Sequence, residues 1–74
     1  MPNTAQHTLQ ITVNGQARPA ADLNTVSDLV AALALDPRKV AIERNLAIVP
    51  RGAYASTPIV AGDAIEIVGF IGGG

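Results

Sequence analysis

The chain has 74 residues, 49% of them hydrophobic, with one Phe, one Tyr and no Trp, so it is one small domain whose core is built from Val, Ile, Leu and Ala. Five basic and six acidic residues give a net charge of −1. The basic residues Arg18, Arg38, Lys39, Arg44 and Arg51 are scattered, which excludes an electrostatic footprint for nucleic acid. The absence of cysteine excludes disulfides, thiolate metal sites and persulfide chemistry on the chain itself, and fits a cytoplasmic protein.

Met1 to Gln6 carry neither a positive side chain nor an apolar run, so no signal peptide is expected, and no apolar stretch is long enough for a membrane span. Residues 1–7 are expected to form a flexible N-terminus before a domain over 8–70. Thr8-Leu9-Gln10-Ile11-Thr12-Val13 alternates polar and apolar residues, the period-two signature of a half-buried strand with Leu9, Ile11 and Val13 inward. Asn14-Gly15 is a type I′ hairpin signal, and Gln16 to Pro19 is the return strand.

Thr25 precedes Val26 to Leu35, and its hydroxyl is placed to cap the first turn of a helix, helped by Asp28 three residues on. Val26, Leu29, Val30 and Leu33 form an apolar stripe at helical spacing, and Asp36-Pro37 is expected to end the helix. Val40 to Glu43 reads as a third strand, Asn45-Leu46 as a turn and Ala47 to Val49 as a short fourth strand stopped by Pro50. Arg51 to Thr57 is a loop or a single helical turn, and Gly62-Asp63 turns the chain into the last strand, Ala64 to Phe70. One helix on a mixed sheet of four to five strands, with the first and last strands adjacent in the middle, is an α+β, β-grasp arrangement.

No catalytic constellation is visible within the domain. His7 is the only histidine and has no thiol partner, the six carboxylates have separate structural explanations, and the seven glycines form neither a dinucleotide fingerprint nor a phosphate-binding loop. Attention therefore falls on the final residues. Ile65-Glu66-Ile67-Val68 leads through Phe70 and Ile71 into Gly72-Gly73-Gly74. Glycines without Cβ can thread a narrow partner pocket that a side chain would block. A flexible tail is expected over 71–74. Alternation puts Ile65 and Ile67 toward the helix and Glu66, Val68 and Phe70 on the opposite face, where apolar residues beside a tail have the makings of a docking surface; a cover over the sheet edge is the structural alternative for Phe70. Arg51 is either a contact to a partner or a guanidinium satisfying backbone carbonyls, and Tyr54 a cover over the core.

Val40-Ala41-Ile42-Glu43-Arg44-Asn45, Ile48-Val49-Pro50-Arg51, Tyr54, Gly62-Asp63, Ile65-Glu66-Ile67-Val68 and the glycine end, in this order and spacing, resemble the ThiS family, ubiquitin-like sulfur carrier proteins of thiamine biosynthesis. Leu46 departs from the small turn residue common there. The resemblance implies that Gly74 is adenylated by a ThiF-like adenylyltransferase using Mg-ATP. Gly74 then takes sulfur from a cysteine desulfurase relay as a thiocarboxylate and gives it to a ThiG-like thiazole synthase. It also implies that Gly72 and Gly73 thread the partner's site, that Val68, Phe70, Glu66 and Arg51 dock the body, and that this chain is a carrier without a bound cofactor rather than an enzyme. A small-subunit role in a molybdopterin synthase, a ubiquitin-like protein modifier and a plain interaction module remain alternatives.

Overall fold

A computed structural model of the chain describes residues 9–69. The expectations for residues 1–7, for Thr8, and for Phe70 and the tail at 71–74 lie outside these. Five strands and one helix follow in the order β1 (Gln10–Val13), β2 (Gln16–Pro19), α1 (Val26–Ala32), β3 (Val40–Arg44), β4 (Ala47–Val49) and β5 (Ala64–Gly69). They form a single sheet in the order β2-β1-β5-β3-β4. β1 and β5 are parallel in the middle, and every other pairing is antiparallel. This is the β-grasp topology expected from the sequence. Among the described residues, no helix is long and apolar enough to cross a membrane.

Alternation along the strands sorts the side chains between the two faces. Ile11, Ile42 and Ile65 point to the helix and meet Val26 and Leu29, and these are the largest fully buried side chains. Leu9, Val13, Leu33, Leu35 and Ile67 pack around them while remaining partly accessible. Tyr54 is buried as a lid on this aliphatic core, its hydroxyl donating to the Val40 carbonyl at 3.4 Å.

Helix α1 begins with a complete capping box. The Thr25 hydroxyl accepts from the Asp28 amide at 3.2 Å, and the Asp28 carboxylate accepts from the Thr25 and Asn24 amides at 3.0 and 2.9 Å. Two further first-turn amides, those of Val26 and Ser27, donate to the carbonyls of Thr57 and Tyr54. The irregular segment before β5 is thereby pinned beneath the helix start.

The far end of α1 corrects the expected boundary. The helix stops at Ala32, not Leu35, because Ala34 takes a left-handed conformation with φ 58°. The Ala34 amide donates to the Ala31 carbonyl and the Leu35 amide to the Val30 carbonyl, the paired bonds of a Schellman motif that turns Leu35 back onto the core. Asp36 and Pro37 do not terminate the helix. Asp36 instead caps a 3₁₀ turn at Pro37–Lys39, accepting from the Arg38 amide at 2.9 Å.

Asp63 fixes the start of β5. It is 3% exposed, yet its carboxylate receives the Arg44 guanidinium at 2.8 Å, the Asn45 amide group at 3.0 Å and the Val60 backbone amide at 2.9 Å. Burial alone would raise its pKa. The three donors outweigh burial and hold the carboxyl below the ordinary range.

Replacing Ala34 with Gly removes the left-handed penalty on a Cβ and is expected to raise stability by about 0.5–1 kcal/mol in urea melts. Asp63→Asn is expected to lower it by about 2 kcal/mol, since Arg44 loses its partner. Because the Asp63 pKa is depressed on folding, its contribution is full above the unfolded carboxylate pKa and disappears as pH falls through the folded value. Wild-type stability should therefore decline from about pH 5 downward. Asp63→Asn should decline less steeply, the remaining slope coming from Asp28 and Asp36, whose pKa values are also lowered by hydrogen bonds.

Candidate functional site

The sheet face away from α1 carries the described docking candidates. Glu66 and Val68 lie on it, as expected from the alternation of β5, and Val68 is 62% exposed while Ile65 is fully buried. The register places Ala41 opposite Val68 and Glu43 opposite Glu66, with Ile48 opposite Glu43 on the far side. Ile48 is also well exposed, and Leu46 stands out from the β3–β4 turn. The result is a short acidic pair, Glu43 and Glu66, bordered by the apolar side chains of Val68, Ala41 and Ile48.

Two carboxylates directly opposed on adjacent antiparallel strands repel each other. Among the described residues, neither takes part in an ion pair. Such a face suits a partner surface that offers an apolar contact and a cation together.

Arg51 is placed elsewhere, on a 3₁₀ turn at Arg51–Ala53. Its guanidinium donates to the Pro37 carbonyl at 3.1 Å and to the Arg38 carbonyl at 3.4 Å, tying this turn to the one before β3. Phe70, Gly72, Gly73 and Gly74 lie outside the described residues, as does His7. Among the described residues there is no group of three His, Cys, Asp or Glu side chains that could hold a metal ion.

Two asparagines, read from the sequence only as turn formers, position the strand that leads toward the tail. Asn14 has φ 52° and opens the β1–β2 turn. Its backbone amide donates to the Ile65 carbonyl at 2.8 Å. Its side chain then reaches past the end of β1: Nδ2 donates to the Ile67 carbonyl at 3.1 Å and Oδ1 accepts from the Ile67 amide at 2.7 Å. A side-chain amide thus replaces one peptide unit of the ladder.

Asn45, with φ 54°, does the same from the other edge. Its backbone amide donates to the Ala64 carbonyl at 2.8 Å and its Oδ1 accepts from the Ala64 amide at 2.9 Å. Leu46 follows it at φ 72° and is 88% exposed, so the turn keeps its left-handed geometry with a branched residue where glycine would be unstrained. The only signal for the clamps in the sequence is that each hairpin turn opens on Asn rather than Asp or Gly. Asn alone combines tolerance of positive φ with both a donor and an acceptor.

The ThiS family model matches residues 11–74. Thiazole synthases of Paramagnetospirillum magneticum and Magnetococcus marinus are 47% and 42% identical over 66 residues, covering 89% of this chain. The chain spans only 20% of the length of each of these two relatives. The sulfur carrier protein ThiS of Bacillus subtilis is 40% identical over 53 residues, 72% of this chain and 80% of that protein. A crystal structure of the thiamine biosynthesis protein ThiS from Geobacter metallireducens superposes with a TM-score of 0.74 at 32% identity, covering 88% of this chain and 99% of that one.

Asn14→Gly retains the positive φ and removes only the side-chain bonds. It is expected to cost about 1 kcal/mol and to accelerate hydrogen exchange at the Ile67 amide, while the Ile42 amide keeps wild-type protection relative to global unfolding.

Proposed function

This chain belongs to the ThiS family, and from that premise we propose that it carries sulfur for thiamine biosynthesis as a thiocarboxylate on Gly74. A free carboxylate is a poor electrophile because its charge is shared between two oxygens. A ThiF-like adenylyltransferase would bind the chain and let a Gly74 carboxylate oxygen attack the α-phosphorus of Mg-ATP, releasing pyrophosphate. The acyl adenylate has a good leaving group. A sulfur nucleophile delivered through a cysteine desulfurase relay then forms the carbon–sulfur bond as the bond to AMP breaks.

A ThiG-like thiazole synthase would accept the sulfur and return the carboxylate. The likeness of this chain to about one fifth of two thiazole synthases supports such an enzyme as recipient. In this scheme the chain is carrier and substrate, Mg-ATP belongs to the adenylating partner, and all catalysis lies with the partners. Gly72 and Gly73 would give clearance in the partner's active site.

The observation that carries the docking part of the reading is the outward placement of Val68 and Ile48 around the Glu43 and Glu66 carboxylates. Val68 with Phe70 would seat in an apolar depression of the partner, and Glu66 would meet a cation there. Arg51 would add an ionic contact through the guanidinium hydrogens that its two carbonyl bonds leave over.

Incubation with the cognate adenylyltransferase, ATP and a sulfur source is expected to give an intact mass increased by the replacement of one oxygen with sulfur, located at Gly74. An unchanged mass under conditions where the enzyme is active would refute the carrier reading. Val68→Asp should raise the KM for the carrier about tenfold with little change in melting temperature; a wild-type KM would remove Val68 from the docking surface.

A further inference from the structure

The end of β5 differs in charge from its middle. Val40 stands opposite Gly69 in the register of β3 with β5, so the 3₁₀ turn at Pro37–Lys39 flanks the point where β5 ends. Arg51 is bound to that same turn through the Pro37 and Arg38 carbonyls, at 3.1 and 3.4 Å. Three of the five basic residues of the chain, Arg38, Lys39 and Arg51, are separated in sequence but gathered by the fold at one corner of the sheet.

All three are exposed, the side chain of Arg38 by 79%. One carboxylate lies among them, that of Asp36, paired with Arg38 at 3.3 Å, so the cations remain in excess. Among the described residues, neither Lys39 nor Arg51 takes part in an ion pair. Glu43 and Glu66 oppose each other three residues back along the two strands, about 10 Å away along the backbone. That is about one screening length at physiological salt, so they do not neutralise the corner. On the other side of β5, the β1–β2 turn at Asn14 and Gly15 carries no charge.

The length of chain beyond β5 says what would cover this corner. Five residues, 70–74, follow Gly69, and they span at most about 17 Å. A partner that encloses the glycines and reacts with Gly74 therefore brings the mouth of its active site within that distance of the strand end. A neutral mouth would strip water from the cations, and a basic one would repel them. Carboxylates at the mouth compensate them and also steer the approach from a distance.

We propose that Arg38, Lys39 and Arg51 form a basic collar at the end of β5, which docks on Asp and Glu side chains around the mouth of the adenylating partner's active site. The inference rests on the carrier reading of Gly74 and adds Arg38 and Lys39 to its contacts, against a partner surface of defined charge. With the tail extended, the collar stands too far from Gly74 to touch the reacting phosphate. It positions the strand end and takes no part in the chemistry.

ATP–pyrophosphate exchange by the cognate adenylyltransferase, followed as a function of carrier concentration and salt, tests it. Lys39→Glu is expected to raise the KM for the carrier about tenfold, to leave kcat unchanged and to flatten the rise of KM with salt seen for the wild type. Lys39→Gln should raise the KM about threefold. Ala21→Glu makes the same change in net charge on an exposed turn at the opposite end of the sheet, beyond the Pro19–Gln10 pair, and should keep the wild-type KM. All three should melt at the wild-type temperature, since none removes a bond of the fold. An unaltered or lowered KM for Lys39→Glu overturns the collar and leaves the carrier reading standing, as does an equal rise for Lys39→Gln and Ala21→Glu, which would report net charge alone. No exchange with the wild-type chain removes both.

Discussion

Strand β5 is held on both edges, and the placement of Glu66 and Val68 depends on it. β3 pairs with it from Ile65 to Gly69, and β1 pairs with Ala64 and Ile65. Where the main-chain ladders run short, side chains take over: Asp63 is locked to Arg44 and Asn45, Ala64 is held by Asn45, and Ile67 is held by Asn14. A strand with period two cannot slip by one residue without exchanging its faces. In this chain a slip would expel Ile65 from the core and bury Glu66 without a counter-ion. Pinning the register thus also fixes which residues stand on the open face of the sheet.

That arrangement runs against the stability of so small a domain. A 74-residue chain with an aliphatic core has little apolar surface in reserve, yet Val68, Ile48 and Leu46 are turned to solvent. The neighbouring carboxylates Glu43 and Glu66 oppose each other across the strands. Neither choice helps the isolated fold. Both are removed from water or neutralised when a cationic, partly apolar surface covers them, which gives association a driving force that folding does not already use.

Much of this is legible in the sequence, because the period-two alternation of Thr8 to Val13 and of Ile65 to Val68 encodes both the strands and their faces. Asn14-Gly15 and the Thr25/Asp28 capping box are local chemistry and were legible for the same reason. The helix end was not. Ala34 adopts a conformation that its side chain disfavours, and only the packing of Leu33 and Leu35 on the core makes that conformation worthwhile. The Asp63–Arg44 pair joins residues 19 apart, and the Asn14–Ile67 clamp joins residues 53 apart. No local pattern announces either one.

The open face of the sheet is polar in sequence along β5: acidic first, apolar beyond. Glu43 and Glu66 oppose each other across β3 and β5, and Val68 follows two residues beyond Glu66, opposite Ala41. A surface complementary to the carboxylates alone could approach in several orientations. A surface that offers a cation to the carboxylate pair and an apolar contact to Val68 meets both only when β5 points in one direction, because the strand fixes the order in which the two follow. For the reaction proposed at Gly74, that directional constraint would matter more than total affinity. In the proposed adenylation, weak contacts that permit only one orientation would bring the terminus to the reacting phosphate and still let the loaded carrier leave.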